Sequence, residues 1–312
     1  YLNWRWIFII ATIFALLVFI AGIFVIGSYH PVKKKSFNWP AYAILSAGMV
    51  CLVIGVNQLS KGLKNWRLWV LLVLATILFM LFVKISKCST SKLLDLSVFE
   101  DKAFIFGACA YFLLQFINIG VSFVLPNYIQ IVNKQTSLIG GLVLLPGSIV
   151  AGLLNPYFGR LYDRLGAKVP LYSGAFLMAL GSFLLANWGL SLTTSMIICF
   201  YGILMLGHRM SFSNTMAQSL KIVDKNLKAD ATAVCQTAQQ LAGSMGTAIL
   251  AAIIAVFQNK QTGSYAALTA QGSRLAFYFT FGLGILILVC DWFMFKLGNE
   301  KHTREESVTK DE

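Results

Sequence analysis

Side chains that could do acid–base, nucleophilic or metal chemistry are few in this sequence and stand far apart. The three histidines, His30, His208 and His302, share no metal-ligand spacing, and the six cysteines form no Cys-x-x-Cys pair. The sequence also has no nucleophile elbow, no phosphate-binding loop and no paired carboxylates. These residues therefore do not support an enzyme, and we expect neither a metal site nor a cofactor.

One cluster of charge stands out, in the segment GRLYDRLGAK at residues 159–168. Only 12% of the residues are charged, so four charges within ten positions are unusual for this sequence. The charged residues and the glycines beside them are Gly159, Arg160, Asp163, Arg164, Gly166 and Lys168. A carboxylate and guanidinium groups at this spacing can hydrogen-bond, and glycines permit a tight turn and close approach of helices.

Two rows of polar residues lie within apolar stretches, at spacings of three and four residues that put each row on one helix face. The first row is Tyr111, Gln115, Asn118 and Ser122, and the second is Gln236, Gln239, Gln240, Gly243 and Thr247. Two interpretations are open, because such residues either line a substrate path or hydrogen-bond neighbouring helices together. Uncharged amides beside aromatic rings suit bulky amphipathic compounds better than sugars or ions.

Two charged residues fall inside apolar stretches. Arg209 lies near the expected cytoplasmic end of its stretch, so its side chain is predicted to snorkel to the interface. A role in substrate binding or coupling is the alternative, and His208 beside it has no explanation. Asp291 is the only carboxylate within a predicted span, and we expect it to form an interfacial ion pair near Lys296 rather than to carry protons.

Membrane-spanning helices must position these side chains. Hydrophobic residues make up 58% of the sequence and charged residues 12%, and this composition is far from that of a soluble globular domain. A helix of about 20 residues crosses a bilayer core. Nine apolar runs have about that length, at residues 6–28, 40–59, 66–83, 104–131, 138–158, 169–187, 192–212, 231–257 and 275–297. None alternates as a barrel strand would. The sequence therefore predicts an all-α polytopic membrane protein with nine transmembrane helices, bent where prolines interrupt them.

The basic residues indicate the orientation of the chain. The net charge is +13, and the lysines and arginines sit mainly in loops, most of them on one side if the helices alternate. The positive-inside rule then places the N-terminus outside and the C-terminus in the cytoplasm. This asymmetry explains the positive charge without a nucleic-acid partner. On the cytoplasmic side, residues 93–101 are predicted to form a short interfacial helix, with a solvated linker as the alternative.

A longer stretch, VLPNYIQIVNKQTSLIGGLVLLPGSIVAGLLNPYFGRLYDRLGAK at residues 124–168, resembles a signature of a known family. It is similar to the C-terminal half of the fourteen-span drug:proton antiporters of the major facilitator superfamily. Three other pieces agree: NWRWIFII at residues 3–10 with the sixth span, KLLDLSVFEDKAF at 92–104 with the stretch before the ninth, and QTAQQLAGSMGTAIL at 236–250 with the thirteenth. The LGHRMSF stretch departs from the family, which has small apolar residues there.

The resemblance implies a major-facilitator-type helix bundle with a defined organisation. Residues 1–28 match the last span of the N-terminal bundle, 29–102 two linking spans and a cytoplasmic interfacial segment, 103–297 the C-terminal six-helix bundle, and 298–312 a disordered cytoplasmic tail. Five spans have no counterpart, so the chain is expected to be N-terminally truncated. An N-terminal bundle supplied in cis or in trans is then a possible partner.

The resemblance also implies a function: efflux of amphipathic drugs or toxic small molecules across a bacterial cytoplasmic membrane by alternating access, with the proton as coupling ion. In the family, the matching acid and arginine hold helix ends together in one state and release them in the other. Carried over by position, Asp163 is the acceptor, with Arg160 and Arg164 as partners. The alternative is a non-transporting membrane subunit or a degenerate transporter remnant.

Overall fold

The computed structural model describes residues 5–25, 37–62, 64–88, 93–259 and 263–311, apart from the side chains of Ile7, Cys88 and residues from 300 onward. Every regular element in these ranges is helical, which confirms the all-α prediction. The α-helices are α1 (Arg5–Val25), α2 (Trp39–Asn57), α3 (Trp66–Cys88), α4 (Lys102–Ile131), α5 (Ser137–Leu142), α6 (Leu145–Leu153), α7 (Asn155–Leu165), α8 (Lys168–Asn187), α9 (Thr194–Ile222), α10 (Lys228–Gln258) and α11 (Tyr265–Asp311). Short 3-10 helices cover Gln58–Lys61, Leu96–Glu100 and Lys225–Leu227.

Eight of the described helices are long and apolar enough to cross a membrane, and the number becomes nine if the bent series α5–α7 counts as one span. The sequence predicted this region as a single run over residues 138–158. Instead, Pro146 and Pro156 each stand in the first turn of a new helix, where a residue without an N–H is tolerated. The chain bends by 42° between Leu153 and Asn155, which confirms the predicted effect of a proline at Pro156.

Helix α4 is the centre of the bundle, since α9, α10 and α11 all pack against it. Helix α8 packs in turn against α9 and α11. Glycines allow the closest approaches: a Cβ on Gly246 of α10 would lie 2.5 Å from the backbone oxygen of Phe116 in α4, and one on Gly207 of α9 would lie 2.5 Å from the backbone oxygen of Gly174 in α8. Close backbone packing of this kind stabilises contacts between helices in a membrane, where the hydrophobic effect does not drive helices together.

The linking helices α2 and α3 form a hairpin that belongs to the same compact unit as the bundle, residues 38–312. Helix α2 and the 3-10 helix that follows it contact α10. The other unit, residues 1–37, contains α1, whose segment Phe8–Val25 has a mean hydropathy of 3.0.

Two predictions concern segments that are expected to be cytoplasmic. The side chain of Asp95 caps the 3-10 helix Leu96–Glu100, which confirms a short helix there. Val98 is buried against Phe104 and Val223, so this helix packs on the bundle. The backbone of α11 is helical as far as Asp311, through the stretch that the sequence predicts to be a disordered tail, and that disorder stays a prediction.

Candidate functional site

The two polar rows meet at one point, between α4 and α10. The hydroxyl of Tyr111 donates a hydrogen bond of 2.8 Å to the side-chain oxygen of Gln239. On its other side, the Tyr111 ring stacks on Phe212 of α9 with centroids 4.3 Å apart, and Phe212 stacks on His208 at 4.8 Å. Tyr111, His208, Phe212 and Gln239 therefore form a continuous series across three helices, which we call the polar–aromatic cluster.

The remainder of the first row also faces the interior of the bundle. Asn118 is buried and Gln115 is half-buried. The hydroxyl of Ser122 donates 2.7 Å to the backbone oxygen of Asn118 and lies 3.1 Å from the hydroxyl of Tyr201 in α9. Polar contacts thus connect α4 to α9 as well as to α10.

The second row divides into two parts. Gln239 is half-buried and reaches α4, whereas Gln236 and Gln240 are exposed on the surface of α10. Thr247 satisfies its hydroxyl within its own helix, on the backbone oxygens of Gly243 and Ser244. The structure therefore brings only one amide of this row to the polar–aromatic cluster, and there it acts as a contact between helices.

His208 is a member of the cluster that the sequence left unexplained. Its side chain is 2% exposed, and neither ring nitrogen has a hydrogen-bond partner in the part of the chain described here. Its ring is instead held by stacking on Phe212 at an interplanar angle of 25°. The spacing of four residues between the two rings was the available signal, because it puts both on one face of a helix.

Arg209 does not lie where the sequence placed it. It was expected near the cytoplasmic end of its helix, but α9 continues to Ile222, thirteen residues further on. At 1.5 Å per residue that end of the helix is about 20 Å away, which is farther than an arginine side chain reaches. Arg209 is half-buried, and its Nε atom is buried without a hydrogen-bond partner among the described residues.

The predicted ion pair between Asp291 and Lys296 is wrong. Its side chain is 0% exposed, and neither carboxylate oxygen has a hydrogen-bond partner within the described ranges. Lys296, its expected ion-pair partner, instead places its ammonium 5.2 Å from the centre of the Trp292 ring. The reason is direction: Asp291 shares a helix face with buried Met294 and Phe295, and this face packs into the bundle.

The segment 159–168 is also different from the predicted loop. Helix α7 runs through it to Leu165, and the turn occurs at Gly166, whose φ of 79° favours glycine. Gly159 lies inside the helix, and a Cβ there would meet no atom within 4 Å, so it makes no close helix approach. Asp163 is exposed and makes no hydrogen bond or ion pair with Arg160 or Arg164 in this conformation of the described chain.

A hydrogen bond and a contact between an ammonium group and an aromatic ring connect α7 to α9. The hydroxyl of Tyr162 donates 2.9 Å to the side-chain oxygen of Gln218, and the Lys221 ammonium lies 4.5 Å from the centre of the Tyr162 ring. Lys168 begins α8, with its ammonium 5.9 Å from the centre of the Phe295 ring. The sequence did not single out Tyr162, although it lies within the charged cluster.

The sequence of the chain is similar to a known protein family and to several of its members. The family model described as Major Facilitator Superfamily matches residues 1–247. Lincomycin resistance protein LmrB of Bacillus subtilis (strain 168) is 27% identical over 307 residues, which cover 94% of this chain and 64% of that protein. Quinolone resistance protein NorB of Staphylococcus aureus (strain MW2) is 26% identical over 298 residues, covering 92% of this chain and 62% of NorB.

The chain thus spans less than two thirds of the length of these curated relatives. Within the residues that the structure describes, no group of three or more His, Cys, Asp or Glu side chains could hold a metal ion. The family match covers most of the chain, and its relatives are named as an MFS-type transporter or as resistance proteins. The chain, whose described part has eight helices long and apolar enough to cross a membrane, belongs to the Major Facilitator Superfamily.

Proposed function

We propose that this chain works in a proton-driven exporter of amphipathic drugs or toxic small molecules, of the fourteen-span type. In this proposal α2 and α3 are the linking spans and α4–α11 form the C-terminal bundle, with the C-terminus in the cytoplasm. The resistance proteins among its relatives support a drug as substrate. Lincomycin and a quinolone are therefore the first compounds to test.

The observation that carries the proposal is the polar–aromatic cluster. Aromatic faces offer stacking to a flat or bulky compound, and the Gln239 amide offers a hydrogen bond without charge. The Tyr111 hydroxyl occupies that amide in the present conformation. A substrate that exchanges partners with Tyr111 would loosen the contact between α4 and α10, which gives binding a way to act on the helices that move.

The segment 159–168 fits the same proposal as a latch, by which we mean a contact between helix ends that forms in one transport state and is broken in the other. In the present conformation this contact is broken. Alternating access needs contacts made in one state and absent in the other. Asp163, exposed beside two arginines, is available for such a contact. A hydrogen bond to a charged group contributes about 1.5–3 kcal/mol, and each 1.4 kcal/mol shifts a two-state equilibrium about tenfold.

Efflux from drug-susceptible bacterial cells tests the proposal. Because the matched relatives are longer, the chain is produced alone and also fused to the part of LmrB that lies outside the matched region. We expect at least one form to lower the accumulation of a fluorescent cation, lincomycin or a quinolone, and a protonophore to abolish the difference. Unchanged accumulation of every compound, with both forms inserted in the membrane, would favour a non-transporting membrane subunit.

A matched pair of variants connects that assay to the cluster. Gln239→Ala removes the amide that contacts Tyr111, whereas Gln258→Ala removes another amide of α10, which donates to the hydroxyl of Thr269. Export is expected to weaken or change its drug range in the first variant and to persist in the second. Equal effects of the two substitutions would show that the helix contact matters and the cluster does not bind drugs.

A further inference from the structure

Asp291 is a buried acid that the described part of the chain leaves without any partner. It lies where α11 packs against α4 and α8: Phe293 stacks on Phe106 of α4 at 4.9 Å, and Phe295 lies against Tyr172 of α8 at 5.7 Å. Its side chain is fully buried in this three-helix seam, and both oxygens lack a hydrogen bond. Nothing in the drug site described above uses it.

The groups around Asp291 offer it no permanent counter-charge. From α8, the Tyr172 hydroxyl is within range of electrostatic interaction, and Lys168 is turned to the Phe295 ring. From α4, the Cys109 thiol interacts with that of Cys290. On α11 itself, Lys296 is turned to Trp292. Helix α10 also packs against α11, and its charged residues are Lys228 and Asp230 in its first turn. None of these groups forms a hydrogen bond or ion pair with Asp291 within the described ranges.

An acid in such a place requires a cation. An unpaired carboxylate in an apolar interior is costly, and acids within spans commonly belong to ion or proton pathways. A metal ion requires several ligands, and the described residues form no group of three or more His, Cys, Asp or Glu side chains that could hold one. A single carboxyl group can satisfy itself with a proton, which makes the group neutral.

The site is also placed where a proton can reach it. Tyr172 is one turn from the start of α8, and Cys109 is two turns from the start of α4, so Asp291 lies near the end of the bundle that carries Lys102 and Lys168. Cys109, which interacts with Cys290 next to Asp291 in the sequence, is exposed. A modest separation of α11 from α8 would therefore expose the carboxyl group to the aqueous side that this end faces.

We propose that Asp291 is a proton-binding site of this protein, neutral and enclosed in the conformation described and opened to water in another. For its role in transport this inference rests on the proposed function, because the bound proton would then be the ion exchanged for drug. The binding site itself does not depend on that function.

Carbodiimide labelling of membranes that contain the chain tests the site directly. A hydrophobic carbodiimide forms a stable N-acylurea with a protonated carboxyl group in an apolar setting, and mass spectrometry locates it. We expect Asp291 to be labelled at mildly acidic pH, to lose the label as pH rises, and to be unprotected by sodium ions. Absence of label at acidic pH, or protection by sodium at constant pH, would overturn the proposal.

Two controls make the labelling specific. Asp291→Asn, which keeps the shape of the side chain, is expected to remove the label, while Asp163→Asn leaves it. A water-soluble carbodiimide should label the exposed Asp163 and not the buried Asp291. Labelling of Asp291 by the water-soluble reagent as fast as that of Asp163 would contradict the enclosed site.

A transport measurement separates this inference from the proposed function. In the form that exports drug, the Asp291→Asn variant is still expected to exchange drug on one side of the membrane for drug on the other. Its rate of drug transport should no longer respond to a proton gradient. Gradient-driven export by the variant at the rate of the unsubstituted protein would remove Asp291 from coupling. If the unsubstituted protein moves no drug while the pH-dependent label persists, the proposed function fails and the proton site stands.

Discussion

The contact between α4 and α10 should be highly sensitive to a single methyl group at Gly246. A Cβ there would lie 2.5 Å from the backbone oxygen of Phe116 and 3.2 Å from its carbonyl carbon. From the other side, a Cβ on Gly120 would meet a methyl of Leu250 at 2.8 Å. The obstructing atoms at Gly246 are backbone, so no side-chain rotation relieves the overlap of Gly246→Ala.

The size of the effect follows from the distances. An unstrained carbon–oxygen contact is about 3.3–3.6 Å, so the added methyl overlaps Phe116 by about 1 Å. Overpacking of this kind costs about 1–3 kcal/mol, which changes an unfolding equilibrium about 5- to 150-fold. Alanine is the better helix former by about 1 kcal/mol, so the net loss is the overpacking cost less this gain.

Gly243→Ala, about one turn earlier in α10, is the matched control. It gains the same helix propensity, so this gain cancels when the two variants are compared. A Cβ on Gly243 would lie 3.6 Å from the nearest atom, in Ile119, which is an ordinary contact. Thermal unfolding in detergent, followed by circular dichroism, should therefore show Gly246→Ala less stable than Gly243→Ala by the full cost of overpacking. Equal melting temperatures for the two variants would refute the close packing of α4 against α10.

Two other substitutions give further predictions. Tyr111→Phe removes the hydrogen bond to Gln239 while keeping the stack on Phe212, so we expect a stability loss of about 0.6–1.7 kcal/mol in the same unfolding measurement and a changed drug range; an unchanged melting temperature would contradict it. Asp163→Asn should lower drug export without reducing the amount of protein in the membrane, and unchanged export would remove the latch from the proposed cycle.

The helices were predictable from apolar runs, but their ends were not. The run that includes Arg209 was expected to stop at Phe212, and polar residues then follow. Helix α9 nevertheless continues, because Ser211 donates to the backbone of α8 and Asn214 and Ser219 donate within α9. Side chains that satisfy themselves on helix backbones do not end a helix, although they lower the hydropathy that marks a span.

The candidate site was predictable in part for a related reason. Periodicity identified Tyr111 and Gln239 as polar residues on defined helix faces, but not that they meet, since pairing depends on which helices are neighbours. The inward direction of Asp291 was not readable at all. A helix that faces lipid is apolar outside as well as inside, so its hydrophobic pattern does not indicate which face enters the bundle.

Exchange of drug for protons is the central claim, and liposomes containing the purified exporting form test it most directly. With a pH-sensitive dye in the lumen and drug added outside, inward movement of drug should drive protons out. We predict a rise in lumenal pH that depends on the drug and disappears when a protonophore is present. Drug uptake with no change in lumenal pH, or with acidification of the lumen, would contradict proton antiport.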